Sequence, residues 1–155
     1  MNSNKMLIMR KLYNVFSLVA LFVCAYAPLM GQESSPVVST KKHKVVFQLT
    51  SDDTLVHKAL LKQIENFTTA APNARIEVVC HNNGISFLKK DGNRYADKIR
   101  HWSAKGVDFV ACENTMKQRK IKREDLVESC RTVPAGILEI VQKQEKKWSY
   151  LKAGF

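Results

Sequence analysis

The sequence predicts an α/β domain, a mostly parallel five-stranded sheet with helices on both faces. Short β-rich apolar runs recur at 44–50, 75–80 and 107–112. Longer stretches with apolar residues at helical spacing separate them. Strand and helix alternate about five times, which is the pattern of strands joined by crossover helices.

The first strand is Lys44 to Thr50, KVVFQLT. Ser51, Asp52 and Asp53 follow, with side-chain oxygens suited to capping a helix. That helix is expected to bury Leu55, Val56, Ala59, Leu60, Ile64 and Phe67 on one face. Ala70 to Asn73 ends it, and Arg75 to Cys80 is the second strand. His81, Asn82, Asn83 and Gly84 read as a turn, with Asn and Gly suited to positive φ. Ile85 to Leu88 is a short apolar run, helical or extended. Asp91 to Asn93 opens a helix with Tyr95, Ile99 and Trp102 on one stripe, closed by Gly106. Val107 to Cys112 is the third strand, and a polar loop or helix start follows it. Arg123 to Ser129 is a short helical piece, and Val133 to Gly136 a strand end and turn. Ile137 to Lys147 is a helix with Ile137, Ile140 and Val141 inward, before an edge strand in Trp148 to Phe155.

The first residues do not read as fold. Lys5, Arg10 and Lys11 form a basic head, Leu12 to Ala27 is almost wholly apolar, and small residues stand at Ala25, Ala27 and Gly31. This is the layout of a secretory signal peptide. The apolar run is shorter than the roughly 20 residues that span a bilayer comfortably. The expected organisation is a signal peptide at 1–31, a flexible leader at 32–43 and one domain at 44–155. Export, with a periplasmic location and no stable membrane span after cleavage, follows from this reading.

The net charge is +11, of which the first 31 residues carry three basic and no acidic side chains, leaving +8. Basic residues gather at 41–44, 117–123 and 143–147. A basic surface can meet nucleic acid or anionic membrane. Export argues against nucleic acid, and Glu124, Asp125 and Glu145 border or interrupt two clusters, so solvated faces are the simpler reading.

Beyond the signal segment the chain keeps Cys80, Cys112 and Cys130. An odd number leaves at least one thiol unpaired in an oxidising compartment. No pair has CxxC spacing, the four histidines lack metal-ligand spacing, and no P-loop or GxGxxG occurs, so no metal or other cofactor is expected. Cys112 ends the third strand, at the carboxyl edge where parallel sheets build their sites. Asn114 and Thr115 follow as a helix entry whose amides stabilise a thiolate, and Lys117 and Arg119 add positive charge, which Glu113 opposes. Cys80, His81, Asn82 and Gly84 form a possible second wall of the crevice, with Cys80 as a resolving thiol or as a ligand pair with His81. Each cysteine also has a purely structural reading as a small buried hydrophobe.

The segment Cys112-Glu113-Asn114-Thr115-Met116-Lys117-Gln118-Arg119 resembles the cysteine segment of the DsrE/DsrF-like sulfur-relay family. The resemblance extends to Val45–Leu49, the turn around Gly84, Val133–Gly136, the helix around Ile140–Gln144 and Trp148–Tyr150. It implies a flavodoxin-like three-layer α/β/α sandwich that assembles as a homo-oligomer, a trimer or hexamer. It also implies a persulfide on Cys112, passed between a sulfur donor and an acceptor protein, with Arg119 as the family arginine. Lys120 stands where the family usually has Gly. Two rivals stay open: a non-catalytic oligomeric module binding a small ligand in the same crevice, and a thiol-disulfide protein using Cys112 with Cys80.

Overall fold

The computed structural model describes residues 38–154. The expected signal peptide at 1–31 lies outside the described residues. Of the leader, residues 38–43 are held against the domain. Ser39 N–H donates to Ala70 O at 2.7 Å, and Asn73 Nδ2 donates to Thr40 O at 3.2 Å.

In chain order the elements are β1 (Lys44–Leu49), α1 (Thr54–Ala70), β2 (Arg75–Cys80), a 3₁₀ turn (Asn82–Leu88), α2 (Ala96–Ala104) and β3 (Asp108–Cys112). They continue with α3 (Glu113–Arg119), a short 3₁₀ turn (Arg123–Asp125), β4 (Cys130–Val133), α4 (Gly136–Glu145) and β5 (Ser149–Lys152). The five strands lie in the order β4-β3-β2-β1-β5, and every pair is parallel rather than mostly so. The chain steps outward from β1 to β4, then returns past β1 to β5. Right-handed crossovers therefore send the first three connections to one face and the last, α4, to the other.

Strand alternation matches this division. On the first face Val45, Phe47, Leu49, Ile76, Val78, Phe109 and Ala111 pack with Leu60, Ile64, Phe87 and Ile99 in the main core. On the second face Val46, Val79, Val110 and Val133 pack beneath Ile140 of α4. Asp53 caps α1 as expected, its carboxylate accepting Leu55 N–H at 2.8 Å.

Several side chains depart from the sequence expectation. Leu55 is exposed on the first turn of α1, and His57 is buried in its place. His57 shares a 2.9 Å hydrogen bond with Ser51 O and packs on Phe87 at 4.9 Å between ring centroids, so a satisfied imidazole occupies the apolar stripe. On α4, Ile140 points inward but Ile137 and Val141 are exposed. The inward stripe is Gly136, Glu139, Ile140 and Lys143, at helical spacing, because a buried charge waits beneath it.

That charge is Glu77, fully buried in the middle of β2. Arg131 reaches Glu77 at 3.1 Å, Asp108 at 2.8 Å and Glu139 at 2.8 Å. Lys143 closes on Glu77 and lies 3.4 Å from Glu139. The network clamps α4 to β2, β3 and β4. Burial pushes the Glu77 carboxyl up to about 7, against the pull of Lys143 and Arg131. A raised carboxyl pKa means the folded chain holds a proton that the unfolded chain releases, so this group's contribution to stability falls as pH rises from 4.5 to about 7. Urea denaturation of wild type and Glu77→Gln at pH 5 and pH 7 checks this. The wild-type advantage over the variant should shrink by on the order of 1 kcal/mol or more across that window.

Candidate functional site

β3 feeds α3 on the first face, where Met116 joins the main core, and β4 feeds α4 on the second. Two adjacent strands whose connections leave to opposite faces open a crevice at their carboxyl ends. Cys112 ends β3 at that point, and Gly136 starts α4 beside it.

Cys112 is 5% exposed and belongs to neither hydrophobic cluster. Gly136 N–H donates to its Sγ at 3.2 Å. The backbone amides of Asn114 and Thr115 and the Thr115 hydroxyl stand close enough to the sulfur to favour its anionic form. Thr115 Oγ1 accepts Asn82 N–H at 3.1 Å, which leaves its own proton free for the thiolate. Burial by itself would raise this thiol, but the donors from Gly136, Thr115 and Asn114 outweigh it and hold the pKa below the ordinary thiol range.

Gly136 was not among the residues singled out from the sequence. A β-carbon there would lie 3.1 Å from Cys112 Cβ, 3.2 Å from Val79 Cγ1 and 3.5 Å from His81 Cβ. The bare backbone lets the start of α4 settle over the sulfur. A glycine directly after Pro134-Ala135, at the entry of a helix, is the sequence signal that could have found it.

The second wall is partly as expected. Cys80 pairs with Ala111 in the β2–β3 register, so the next residue, His81, stands level with Cys112. Both flank Gly136. Burial lowers the His81 pKa, so the imidazole is neutral at pH 7. Asn82 adopts φ 49°, the left-handed turn geometry read from the sequence. Gly84 serves another purpose than positive φ: a β-carbon there would stand 2.1 Å from Leu49 O, because the turn crosses directly over the end of β1.

Cys80 is not in the crevice. Strand alternation points it to the first face, where it is buried in the main core and its thiol is pushed well up by burial. This removes the resolving-thiol and Cys80–His81 ligand readings. Cys130 begins β4, buried in the same core, and its Sγ lies 3.2 Å from Val127 O. All three cysteines are free. Among the described residues no cluster of His, Cys, Asp and Glu could hold a metal ion.

Arg119 donates to Asn83 Oδ1, tying α3 to the turn after β2. It therefore supports the crevice wall through Asn83. Asn114 is exposed and acts through its amide, which lies 3.3 Å from Pro134 O and joins the two strand-end loops. Lys120 has φ 54° and ψ 39°, the left-handed conformation a glycine adopts most easily, so the loop keeps that geometry with a lysine in it. A separate cavity of about 550 Å³, between α1 and α2 and lined by Glu65, Trp102 and Lys105, lies at the amino end of the sheet near Ile76 and Val107.

The thiol should ionise below the range of an unstructured cysteine. The Cys112 alkylation rate against pH measures the inflection. Thr115→Val removes the hydroxyl donor and should move that inflection upward by about one pH unit or less.

A family model described as the DsrE/DsrF-like family matches residues 43–153. A protein of unknown function from Methanobacterium thermoautotrophicum is 30% identical with a TM-score of 0.70, covering 72% of this chain and 99% of its own. The ychN protein from E. coli is 12% identical with a TM-score of 0.59, covering 72% of this chain and 99% of its own. A conserved protein of unknown function from Bacteroides thetaiotaomicron is 12% identical with a TM-score of 0.58, covering 70% of this chain and 93% of its own. The latter two likenesses concern the fold. No curated protein matches the chain.

Proposed function

Because the chain belongs to the DsrE/DsrF-like family, we propose that it is an exported sulfur carrier that holds sulfane sulfur as a persulfide on Cys112. The observation that carries this reading is the sulfur of Cys112 at the sheet's carboxyl edge, with the Gly136 amide on it at 3.2 Å and the donors of Asn114 and Thr115 around it.

Loading begins when the Cys112 thiolate attacks the outer sulfur of a low-molecular-weight or protein persulfide. A sulfur–sulfur bond forms on Cys112 and the donor's sulfur–sulfur bond breaks. The electron pair leaves on the donor thiolate, which takes up a proton from solvent. Unloading is the same exchange with an acceptor thiolate attacking the outer sulfur, and Cys112 leaves as thiolate. Neither direction needs an external oxidant or reductant. The amide donors raise the fraction of Cys112 present as the attacking thiolate and favour its departure as leaving group, where negative charge builds on Sγ. Transfer requires one thiol and no resolving cysteine, in keeping with Cys80 facing the opposite side of the sheet.

In this reading the carrier works as a homo-oligomer, a trimer or hexamer, exchanging sulfur with a donor and an acceptor protein. The exposed apolar side chains Ile137, Leu138 and Val141 of α4 and Tyr150 and Leu151 of β5 support contacts with other chains. Among the described residues no helix is long and apolar enough to cross a membrane.

Intact-protein mass spectrometry after incubation with a persulfide donor tests the proposal. Wild type should gain the mass of one sulfur atom, reversibly with thiol, and Cys112→Ser should not. An alkylatable Cys112 that never takes sulfur would instead favour a module that binds a small ligand at this crevice.

A further inference from the structure

A polar row crosses the second face of the sheet at its carboxyl edge and ends beside Cys112. It begins on the edge strand β5, where the Tyr150 hydroxyl donates to Gln48 Oε1 of β1. With Oε1 engaged, the Gln48 amide nitrogen faces His81 Nε2 at 2.8 Å. An NH₂ group can only donate, so Nε2 must accept and the ring proton must sit on Nδ1. His81 is 7% exposed and stands level with Cys112 across the β2–β3 register. We propose that Tyr150, acting through Gln48, is a positioning residue that holds His81 as the neutral Nδ1–H tautomer beside Cys112.

The consequence is electrostatic. An imidazolium at His81 would add a full positive charge next to the thiolate, and its protonation would make sulfur affinity swing with pH near neutrality. A neutral ring leaves the thiolate to the fixed amide dipoles of Gly136, Asn114 and Thr115, which do not titrate. The row thereby spares the Cys112 thiolate a second charge change in the range where an ordinary histidine titrates. The groups that face His81 agree. Cys112 comes from β3, the amino end of α4 stands above, Gln48 comes from β1, and Tyr150 comes from β5 with Lys152 level with Gln48. None of them is a carboxylate that would hold a second proton on the ring. Tyr150 is 38% exposed on the edge strand β5, so whatever packs there bears on the protonation of a ring two strands further in, at the end of β2.

This assignment gives the proposed sulfur carrier a thiol whose pKa is not moved by a titrating His81, but its test requires no sulfur on Cys112. Nitrogen-15 NMR of the histidine-labelled protein reads the His81 tautomer and titration directly. Wild type should show an accepting Nε2 and a protonated Nδ1, and titrate below an ordinary histidine. In Tyr150→Phe the Gln48 amide is free to rotate and present its oxygen, so the tautomers should mix and His81 should titrate higher. The Cys112 alkylation rate near pH 6 should then rise about threefold, corresponding to a thiol shift of about half a unit. Gln48→Glu, which keeps the side-chain shape, should protonate both nitrogens at neutral pH and serves if Tyr150→Phe does not fold. A wild-type ring protonated on Nε2, or a His81 unchanged in both variants, overturns the proposal. Failure to load sulfur with the tautomer as assigned overturns only the carrier reading.

Discussion

The close approach of α4 to the end of β3 sets the chemistry at the carboxyl edge. An amide donates to a sulfur only if a helix start comes within van der Waals reach of it, and at Gly136 the absence of a β-carbon makes room for that. The 3.2 Å contact to Cys112 Sγ is thus one consequence of a steric constraint that also involves Val79 and His81. The helix is held there from below as well. Glu139 and Lys143, on the same stripe as Gly136, close on Arg131 and Glu77, so the charge network and the sulfur site share one rigid element. A buried charge cluster of this kind contributes little net stability, since desolvation offsets most of the attraction, but it specifies one seat for the helix.

The same geometry separates the three cysteines by role. Alternation along a strand places consecutive side chains on opposite faces. Cys80 therefore falls into the main core although its neighbour His81 stands in the crevice. Burial raises the thiol of Cys80, and it raises that of Cys130 against the weaker pull of Arg123 and a backbone amide. Burial with amide donors lowers that of Cys112. One compact domain thus holds two inert thiols and one ionisable thiol by the same physical terms in different proportion.

Around the site, backbone demands account for residues that invite a chemical reading. Gly84 clears the carbonyl of Leu49, and Lys120 occupies a left-handed position. Arg119 reaches Asn83 and steadies a turn. Their work is to fix where the Thr115 hydroxyl and the loop amides stand.

The alternation of apolar runs was enough to predict five strands with intervening helices, because each run is long enough to bury one face and too short to be anything but a strand or a helix turn. The end of β3 at Cys112, the Asp53 cap and the closing role of Gly106 are local features, and local chemistry decided them. Other features were illegible without tertiary structure. The outward turn of Ile137 and Val141 depends on Glu77, some sixty residues earlier, occupying the space beneath α4. The meeting of His81 with Cys112 depends on strand register, and the Tyr150–Gln48–His81 row joins three strands. Periodicity in a chain reports which side chains share a face, whereas which faces meet, and at what height, is set only when the crossovers pack and exclude water.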